Sequence, residues 1–196
     1  MKLIFASNNA HKAEEIKAVV PAGIEVVSLK EAGITVDIPE PHDTLEKNAI
    51  EKATVIYSLT NENCFSEDTG LEVTALDGSP GVRTARYAGD DSTAEQNIEK
   101  LLGFIESSTE RTARFRTVIC LILNGEQHLF EGVCEGQIAT EPSGEDGFGY
   151  DPVFIPDGSD KTFAQMTLAE KTEFSHRRKA VDKLVEFLNS TAINSR

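Results

Sequence analysis

The chain has 196 residues, a length that predicts one domain over residues 1–196 with a sizeable core. Its composition is that of an ordinary globular protein, and its net charge of −14 argues against a nucleic-acid-binding surface, which requires a basic field. No apolar run has the length of a membrane span, and the first strand is too short for a signal peptide, so we expect a cytoplasmic protein without a membrane partner. Cys64, Cys120 and Cys134 lack metal-type spacing and are expected to be buried free thiols.

The first predicted elements are a strand from Lys2 to Ala6, a polar turn over residues 7–9 and a helix from about Ala10 to Val20. A strand that leads through a polar turn into a helix N-terminus favours phosphate, because free N–H groups and the helix dipole point at the ligand. Lys12 lies in the first helical turn, where a cation opposes the dipole. An anionic ligand would explain it, and the alternative is an ordinary capped turn with a solvated lysine.

A short strand is predicted from Val26 to Leu29, followed by an acidic, proline-stiffened loop over Asp37–Asp43. A helix is expected to begin at Asp43 or Thr44 and to end near Ser58. Glu40 in the loop could bind a metal ion or be solvated. Asn48 lies near the buried side of the helix and should therefore make hydrogen bonds there.

The segment Phe65–Val73 is predicted to form two strands on either side of an acidic turn, Glu67-Asp68-Thr69-Gly70. Gly70 permits a sharp turn or a close approach of a ligand. One carboxylate could bind a hard cation while the other orients a water molecule, and the alternative is a solvated hairpin turn. Neighbouring residues of an extended chain point in opposite directions, so both acids can face one ligand only if the turn redirects one of them.

A glycine-bounded loop with two arginines is followed by a capping box at residues 92–95, which predicts a helix to about Glu106. Two strands, Arg114–Leu123 and Gln127–Ile138, are joined by an Asn-Gly hairpin signal. The following loop, residues 143–152, contains three glycines and two aromatic residues. It could place a ring against a flat ligand, or its aromatic side chains could pack in the core.

The segment from Lys171 to Lys183 is basic, with five Lys or Arg against two acids, or +3 in a chain of net charge −14. Ser175 is a good N-cap for a helix that places His176 and Arg177 in its first turn, with Lys171 just outside it. Cations in a first turn oppose the dipole, and a bound anion would explain their position.

Five segments resemble, in the same order, the motifs of the inosine/xanthosine triphosphate pyrophosphatases, enzymes that remove deaminated purine nucleotides from the precursor pool. They are SNNAHK at 7–12, EDTGL at 67–71, PGV with TARY over 80–87, GFGYDP at 147–152 and SHR at 175–177. The resemblance covers essentially the whole chain. It implies a mixed α/β (α+β) fold, with two lobes around a long twisted mixed sheet and an active-site cleft between them. It also implies a homodimer and Mg²⁺.

The resemblance also implies roles for individual residues. Asp68 is expected to be the catalytic proton acceptor and a Mg²⁺ ligand, with Glu40 or Glu67 as a further ligand. The expected substrate-binding residues are Ser7, Asn8, Asn9, Ala10, His11, Lys12, Thr69, Phe148, Gly149, Tyr150, Asp151, Lys171, His176 and Arg177. Two positions depart from the family pattern: Glu67 replaces the commoner Asp, and His42 replaces the usual glycine of the loop that carries Glu40.

The expected reaction is the Mg²⁺-dependent hydrolysis of ITP, dITP or XTP to the monophosphate and pyrophosphate. Such a reaction suits the residues, because Mg²⁺ prefers a few carboxylates together with phosphate oxygens. A nearby acid can also act as a general base. Two alternatives remain open: a nucleotide-binding protein without catalysis, and a related pyrophosphatase that acts on modified pyrimidines.

Overall fold

The computed structural model describes residues 1–194, with side chains as far as residue 191, and confirms the predicted mixed α/β fold. The strands are β1 (Lys2–Phe5), β2 (Glu25–Ser28), β3 (Cys64–Val73), β4 (Pro80–Gly81), β5 (Thr112–Leu123), β6 (Glu126–Ile138) and β7 (Phe154–Pro156). The helices are α1 (Ala10–Val19), α2 (Leu45–Thr60), α3 (Ala94–Phe104), α4 (Leu168–Phe174) and α5 (His176–Asn194). Within these bounds, none of the helices is long and apolar enough to cross a membrane.

The strands form one mixed sheet in the order β2-β1-β3-β5-β6-β7, and β4 pairs with β3 off this path. Strand β1 is parallel to both β2 and β3, whereas β4 and β7 are antiparallel to β3 and β6. The register between β1 and β3 places Phe5 beside Phe65, whose rings stack with centroids 4.9 Å apart. Strand β1 ends at this contact, and the polar turn before α1 follows it.

The described chain divides into two compact units, each with its own apolar core. Unit 1 contains residues 1–68, 117–132 and the chain from Arg177 onward, and unit 2 contains residues 69–116 and 133–176. The core of unit 1 includes Leu3, Phe5, Ile16, Phe65, Ile119, Leu121 and Leu184. The core of unit 2 includes Leu71, Val73, Leu101, Phe115, Phe154 and Phe163. The expectation of one domain over residues 1–196 stays a prediction.

Most predicted elements begin and end within two residues of the observed bounds. The hairpin between β5 and β6 has a two-residue turn in which Asn124 and Gly125 have φ values of 53° and 86°. These left-handed values are those of the turn that suits the twist of a hairpin, as the sequence predicts. Cys64, Cys120 and Cys134 are buried free thiols, also as predicted, and burial raises the pKa of Cys64 and of Cys120 to about 12.

The prediction of an acidic turn at residues 67–70 is wrong, because β3 runs without interruption from Cys64 to Val73. Neighbouring strands support both parts of it: β1 pairs with its beginning and β4 with its end. Gly70 is required for close approach rather than for turning. A Cβ atom at Gly70 would lie 2.8 Å from the carbonyl oxygen of Gly81 in β4.

One helix start and one whole helix also differ from the prediction. The capping box of α3 is formed by Thr93 and Gln96, one residue later than expected, since Ser92 instead donates its hydroxyl to the carbonyl of Gly89 and to Asn97. Helix α4 is not predicted at all, and Lys171 lies in its last turn rather than outside a helix.

Candidate active site

Glu67 and Asp68, adjacent in β3, contact different partners, as the alternation of an extended chain requires. The Glu67 carboxylate lies 2.5 Å from the Lys12 ammonium and 2.6 Å from Nε of Arg177. The Asp68 carboxylate lies 2.8 Å from the Lys52 ammonium. Because no turn redirects either side chain, the two acids take part in separate charge clusters of unit 1.

The first cluster consists of Asp68, Lys52 and Glu40. Lys52 projects from α2 and donates hydrogen bonds to Oδ1 of Asp68 at 2.8 Å and Oε1 of Glu40 at 2.7 Å. Its side chain is 7% exposed and that of Asp68 is 8% exposed, so water screens this pair weakly. Burial alone would lower the pKa of Lys52, but the charges of Asp68 and Glu40 outweigh it and raise that pKa.

The carboxyl group of Asp68 is tuned in the direction that suits a base. Burial raises the pKa of Asp68, the Glu40 carboxylate adds to the rise, and the charges of Lys52 and Lys12 only partly offset it. A general base is most effective when its pKa approaches the working pH, while it must remain ionised to accept a proton. Burial brings the pKa of Asp68 closer to the working pH, and the Lys52 ammonium favours the ionised form of Asp68.

Asn48 positions the loop that carries Glu40. Its Oδ1 accepts a hydrogen bond from the His42 main-chain N–H at 3.0 Å, and its Nδ2 donates to the His42 carbonyl at 3.3 Å and to Asp68 at 3.4 Å. The predicted hydrogen-bonding role of Asn48 is thereby confirmed. Only main-chain atoms of His42 take part, so the replacement of glycine by histidine leaves Glu40 in contact with the cluster.

The second cluster surrounds Glu67, which is fully buried. Arg177 contacts both Glu67 and Glu15, and Lys12 contacts Glu67. Burial alone would raise the pKa of Glu67, but Arg177 and Lys12 outweigh it and hold that pKa well below its usual range. The position of Arg177 therefore needs no bound anion to explain it, contrary to the expectation from the helix dipole. Arg177 is 2% exposed and paired with two carboxylates.

The predicted polar turn is present at the start of α1, and its binding of an anion stays a prediction. Asn9 is the N-cap, and its Oδ1 accepts a hydrogen bond from the Lys12 N–H at 3.1 Å. The Ser7 hydroxyl accepts from the Asn9 N–H at 3.2 Å, and the Asn8 side chain donates to the Val36 carbonyl at 3.2 Å. Ala10 and His11 begin the helix. The Lys12 side chain links this turn to Glu67 and acts electrostatically on Asp68.

In unit 2 the glycine-rich loop is held by Asp151. Its Oδ2 accepts hydrogen bonds from the Phe148 N–H at 2.8 Å and from the Lys171 ammonium at 2.6 Å. That ammonium lies 5.0 Å from the centroid of the Phe148 ring and 5.3 Å from that of Phe163. Lys171 is therefore a buried cation that lies against two aromatic rings and is held by the Asp151 carboxylate.

The remaining predicted residues of unit 2 are also placed by packing. His176 is 2% exposed and stacks on Phe115 with ring centroids 4.7 Å apart. Tyr150 is buried in the core, and its hydroxyl donates to the Thr84 carbonyl at 3.0 Å. Gly149 has a φ of 62°, and Thr69 is half-buried in β3. Each unit thus brings together its own share of the predicted residues.

Two functional candidates were missed in the sequence, Lys52 and Glu15. The buried positions of α2 are Leu45, Asn48, Ala49, Lys52, Ala53 and Ile56. The signal that could have identified Lys52 is its position in this buried stripe, because a buried charge requires a partner. Glu15 gave no comparable signal, since its partner Arg177 is distant in sequence.

The residues around Asp68 fit a hard cation, whereas those around Glu67 do not. Asp68 and Glu40 already share one ammonium as carboxylate partners, and Mg²⁺ commonly uses one or two carboxylates together with phosphate oxygens and water. Both oxygens of Glu67 contact Lys12 or Arg177. Among residues 1–194, no group of three or more His, Cys, Asp or Glu side chains is arranged to hold a metal. Substrate or water oxygens would have to complete the coordination.

The fold recurs in solved structures of Ham1 proteins. The Ham1 protein of Staphylococcus aureus has a TM-score of 0.88 and 39% identity, with 97% of this chain and all of that chain covered. A nucleoside-triphosphatase / dITP/XTP pyrophosphatase from Mycobacterium abscessus has a TM-score of 0.76 and 37% identity, with 94% and 99% covered. The model of the Ham1 family matches residues 3–187, and the chain belongs to this family.

Sequence relatives agree with this assignment. A dITP/XTP pyrophosphatase of Christiangramia forsetii is 50% identical over 189 residues, which cover 96% of this chain and 100% of the relative. A dITP/XTP pyrophosphatase of Bacillus subtilis is 43% identical over 191 residues, with 95% and 96% covered. The resemblance predicted from the five motifs is confirmed.

Proposed function

We propose that the protein hydrolyses dITP, ITP and XTP to the nucleoside monophosphate and pyrophosphate, and so removes deaminated purines from the nucleotide pool. The predicted class, a nucleoside triphosphate pyrophosphatase, is confirmed by the names of the relatives. The observation in this chain that carries the proposal is the buried carboxylate of Asp68, bonded to Lys52, which shares its ammonium with Glu40.

The phosphate groups are assigned to the turn before α1. Its Asn9-capped N-terminus supplies main-chain N–H groups and the positive end of the helix dipole. The Lys12 ammonium, which contacts Glu67 and acts on Asp68, links this turn to the carboxylate that performs the chemistry. The negative charge of a triphosphate bound at this turn would thus be attracted by the Lys12 ammonium.

Asp68 is assigned as the general base. A water oxygen forms a bond to phosphorus, the bridging bond between the α and β phosphates breaks, and the proton of the water passes to Asp68. Lys52 keeps Asp68 ionised before this transfer. Mg²⁺, which Asp68 and Glu40 would hold, would neutralise phosphate charge and acidify a bound water when present.

The base is assigned to the loop that holds Phe148 and Lys171. The Phe148 ring offers a π-face for stacking, and Asp151 fixes the Lys171 ammonium as a hydrogen-bond donor beside it. A 6-oxo purine presents an acceptor where adenine presents a donor, so a fixed donor favours hypoxanthine and xanthine over adenine. The homodimer and the cytoplasmic location that the resemblance implies stay predictions.

The test is a substrate panel with product identification. Purified protein is incubated with dITP, ITP, XTP, dATP, dTTP and dUTP, with Mg²⁺ and with excess EDTA, and products are separated by ion-exchange chromatography. We expect monophosphate and pyrophosphate from the three deaminated purines, only with Mg²⁺. Diphosphate with inorganic phosphate as products, or faster turnover of the pyrimidines, would contradict the proposal, and binding without turnover would favour the non-catalytic alternative.

A further inference from the structure

Thr84 makes three hydrogen bonds, two of them to residues far from it in the sequence. Its hydroxyl accepts from the main-chain N–H of Leu71 at 2.8 Å and donates to the carbonyl of Gly81 at 2.5 Å. Its own carbonyl accepts from the hydroxyl of Tyr150 at 3.0 Å. All four residues belong to unit 2.

The hydroxyl is inserted into the pairing of two strands. Leu71 and Gly81 face each other in the antiparallel register of β3 and β4. The Thr84 side chain bonds the N–H of one and the carbonyl of the other, and thereby serves as a bridge between them. A hydroxyl can do this because it is both a donor and an acceptor, whereas an isosteric valine is neither.

Thr84 joins the loop assigned to the base to the strand segment that carries Thr69, a residue expected to bind substrate. Leu71 lies two residues after Thr69, in the strand segment that follows Asp68. Tyr150 belongs to the loop that also carries Phe148, and its side chain is 2% exposed. Thr84 itself belongs to the TARY motif, to which the proposed mechanism gives no role.

We infer that Thr84 is a positioning residue, which fixes the base-binding loop relative to the strand segment that carries Thr69. This inference rests on the proposed function. The side chain touches neither phosphate nor base in this assignment and acts through Leu71 and Tyr150. Loss of the bridge would let the bound base shift relative to Thr69, which would impair the alignment of the bound nucleotide more than the contacts to the base.

The expected effect is therefore on kcat rather than on KM. Misplacement of a reacting group by about 1 Å costs about a hundredfold in rate. For Thr84→Val we expect kcat for dITP to fall by about tenfold to a hundredfold, with a smaller change in KM. Thr84→Ser keeps the hydroxyl and should restore most of the lost rate. Tyr150→Phe should show the same kind of loss.

The control is Thr93→Val, which removes the side-chain N-cap of α3 without touching Leu71, Gly81 or Tyr150. Melting curves of all variants show whether each is folded at the assay temperature. A double-mutant cycle of Thr84→Val and Tyr150→Phe should give a loss smaller than the product of the single losses, because both weaken one connection.

The outcomes separate the inference from the proposed function. A wild-type protein inert on dITP and XTP overturns both. An active wild type overturns the inference alone if Thr84→Val retains its kcat, if Thr84→Ser is as impaired as Thr84→Val, or if Thr93→Val loses as much kcat at equal thermal stability. A kcat loss confined to Thr84→Val and Tyr150→Phe, with rescue by serine, supports it.

Discussion

Replacement of Lys52 by methionine should change the pH at which the enzyme works. The Lys52 ammonium is the nearest positive charge to Asp68, at 2.8 Å, and it also contacts Glu40 at 2.7 Å. Methionine has a similar length and no charge. Lys52→Met therefore leaves the carboxylates of Asp68 and Glu40 in place and removes the positive charge that is paired with them. Burial and the Glu40 charge raise the pKa of Asp68, and in this variant the Lys52 charge, which is the main effect that lowers this pKa, would be absent.

The size of the shift follows from one charge-assisted hydrogen bond. Such a bond contributes roughly 1.5–3 kcal/mol, and one pKa unit corresponds to about 1.36 kcal/mol. The pKa of Asp68 should therefore rise by about one to two units in Lys52→Met. Because Asp68 accepts a proton only when ionised, the acid limb of the pH–rate profile should move to higher pH by the same amount.

The assay is kcat/KM for dITP across pH, since this parameter reports ionisations of the free enzyme. Lys47→Met is the matched control: Lys47 lies on the same helix but pairs with Asp43 on the surface, with a side chain 58% exposed. We expect its profile to be that of the wild type. An acid limb that stays in place in Lys52→Met, with a rate lowered equally at every pH, would refute the role of Lys52 in keeping Asp68 ionised.

Three further predictions concern the two clusters. Asp68→Asn should lower kcat by about a hundredfold to ten-thousandfold while calorimetry with Ca²⁺ still detects dITP binding, and near-normal turnover would remove Asp68 from the mechanism. Arg177→Met leaves the buried Glu67 and the partly buried Glu15 without their shared partner and should cost about 3–5 kcal/mol, or about 6–20 °C in Tm, whereas Arg178→Met removes only an exposed i,i+4 pair and should change Tm little. A melting temperature of Arg177→Met equal to that of Arg178→Met would contradict this. Glu67 has a folded pKa below its unfolded value of 4.5, so its stabilising contribution is complete above that pH and is lost as pH falls towards the folded pKa. Glu67→Gln should therefore flatten the dependence of Tm on pH below about 4.5, and an unchanged acid dependence would refute the assignment.

Local signals in the sequence were enough for most of the fold. The hairpin at Asn124 and the helix that follows the polar turn were predicted because their causes lie within a few residues: a left-handed turn pair and an N-cap. The continuity of β3 could not be predicted in the same way. Polar residues and a glycine in one short segment indicate a turn, whereas β1 and β4, which hold the strand extended, lie far away in the chain.

Partners of the charged residues were the least predictable feature of the candidate site. Arg177 lies 110 residues from Glu67 and 162 from Glu15, so no local pattern connects them. In an isolated helix, a cation at the first turn is unfavourable. In this chain the ion pairs of Arg177 outweigh that effect, because dipole terms of about 0.3–1 kcal/mol are smaller than the cost of breaking a buried ion pair, about 3–5 kcal/mol.

The two adjacent acids of β3 illustrate how one strand serves both stability and chemistry. Because side chains alternate along a strand, Glu67 and Asp68 contact different partners. The surroundings of each carboxylate, including the cations that it contacts, determine how readily it takes up a proton. Glu67 contacts two cations, so its proton affinity is low and its charge is fixed. Burial raises the pKa of Asp68, and the one cation that it contacts, which it shares with Glu40, offsets that rise only in part, so the charge of Asp68 can respond to a ligand. A proton acceptor needs that responsiveness, whereas a residue that holds Arg177 and Lys12 in place needs a permanent charge. The same dipeptide therefore provides an anchor on one side of the strand and a base on the other.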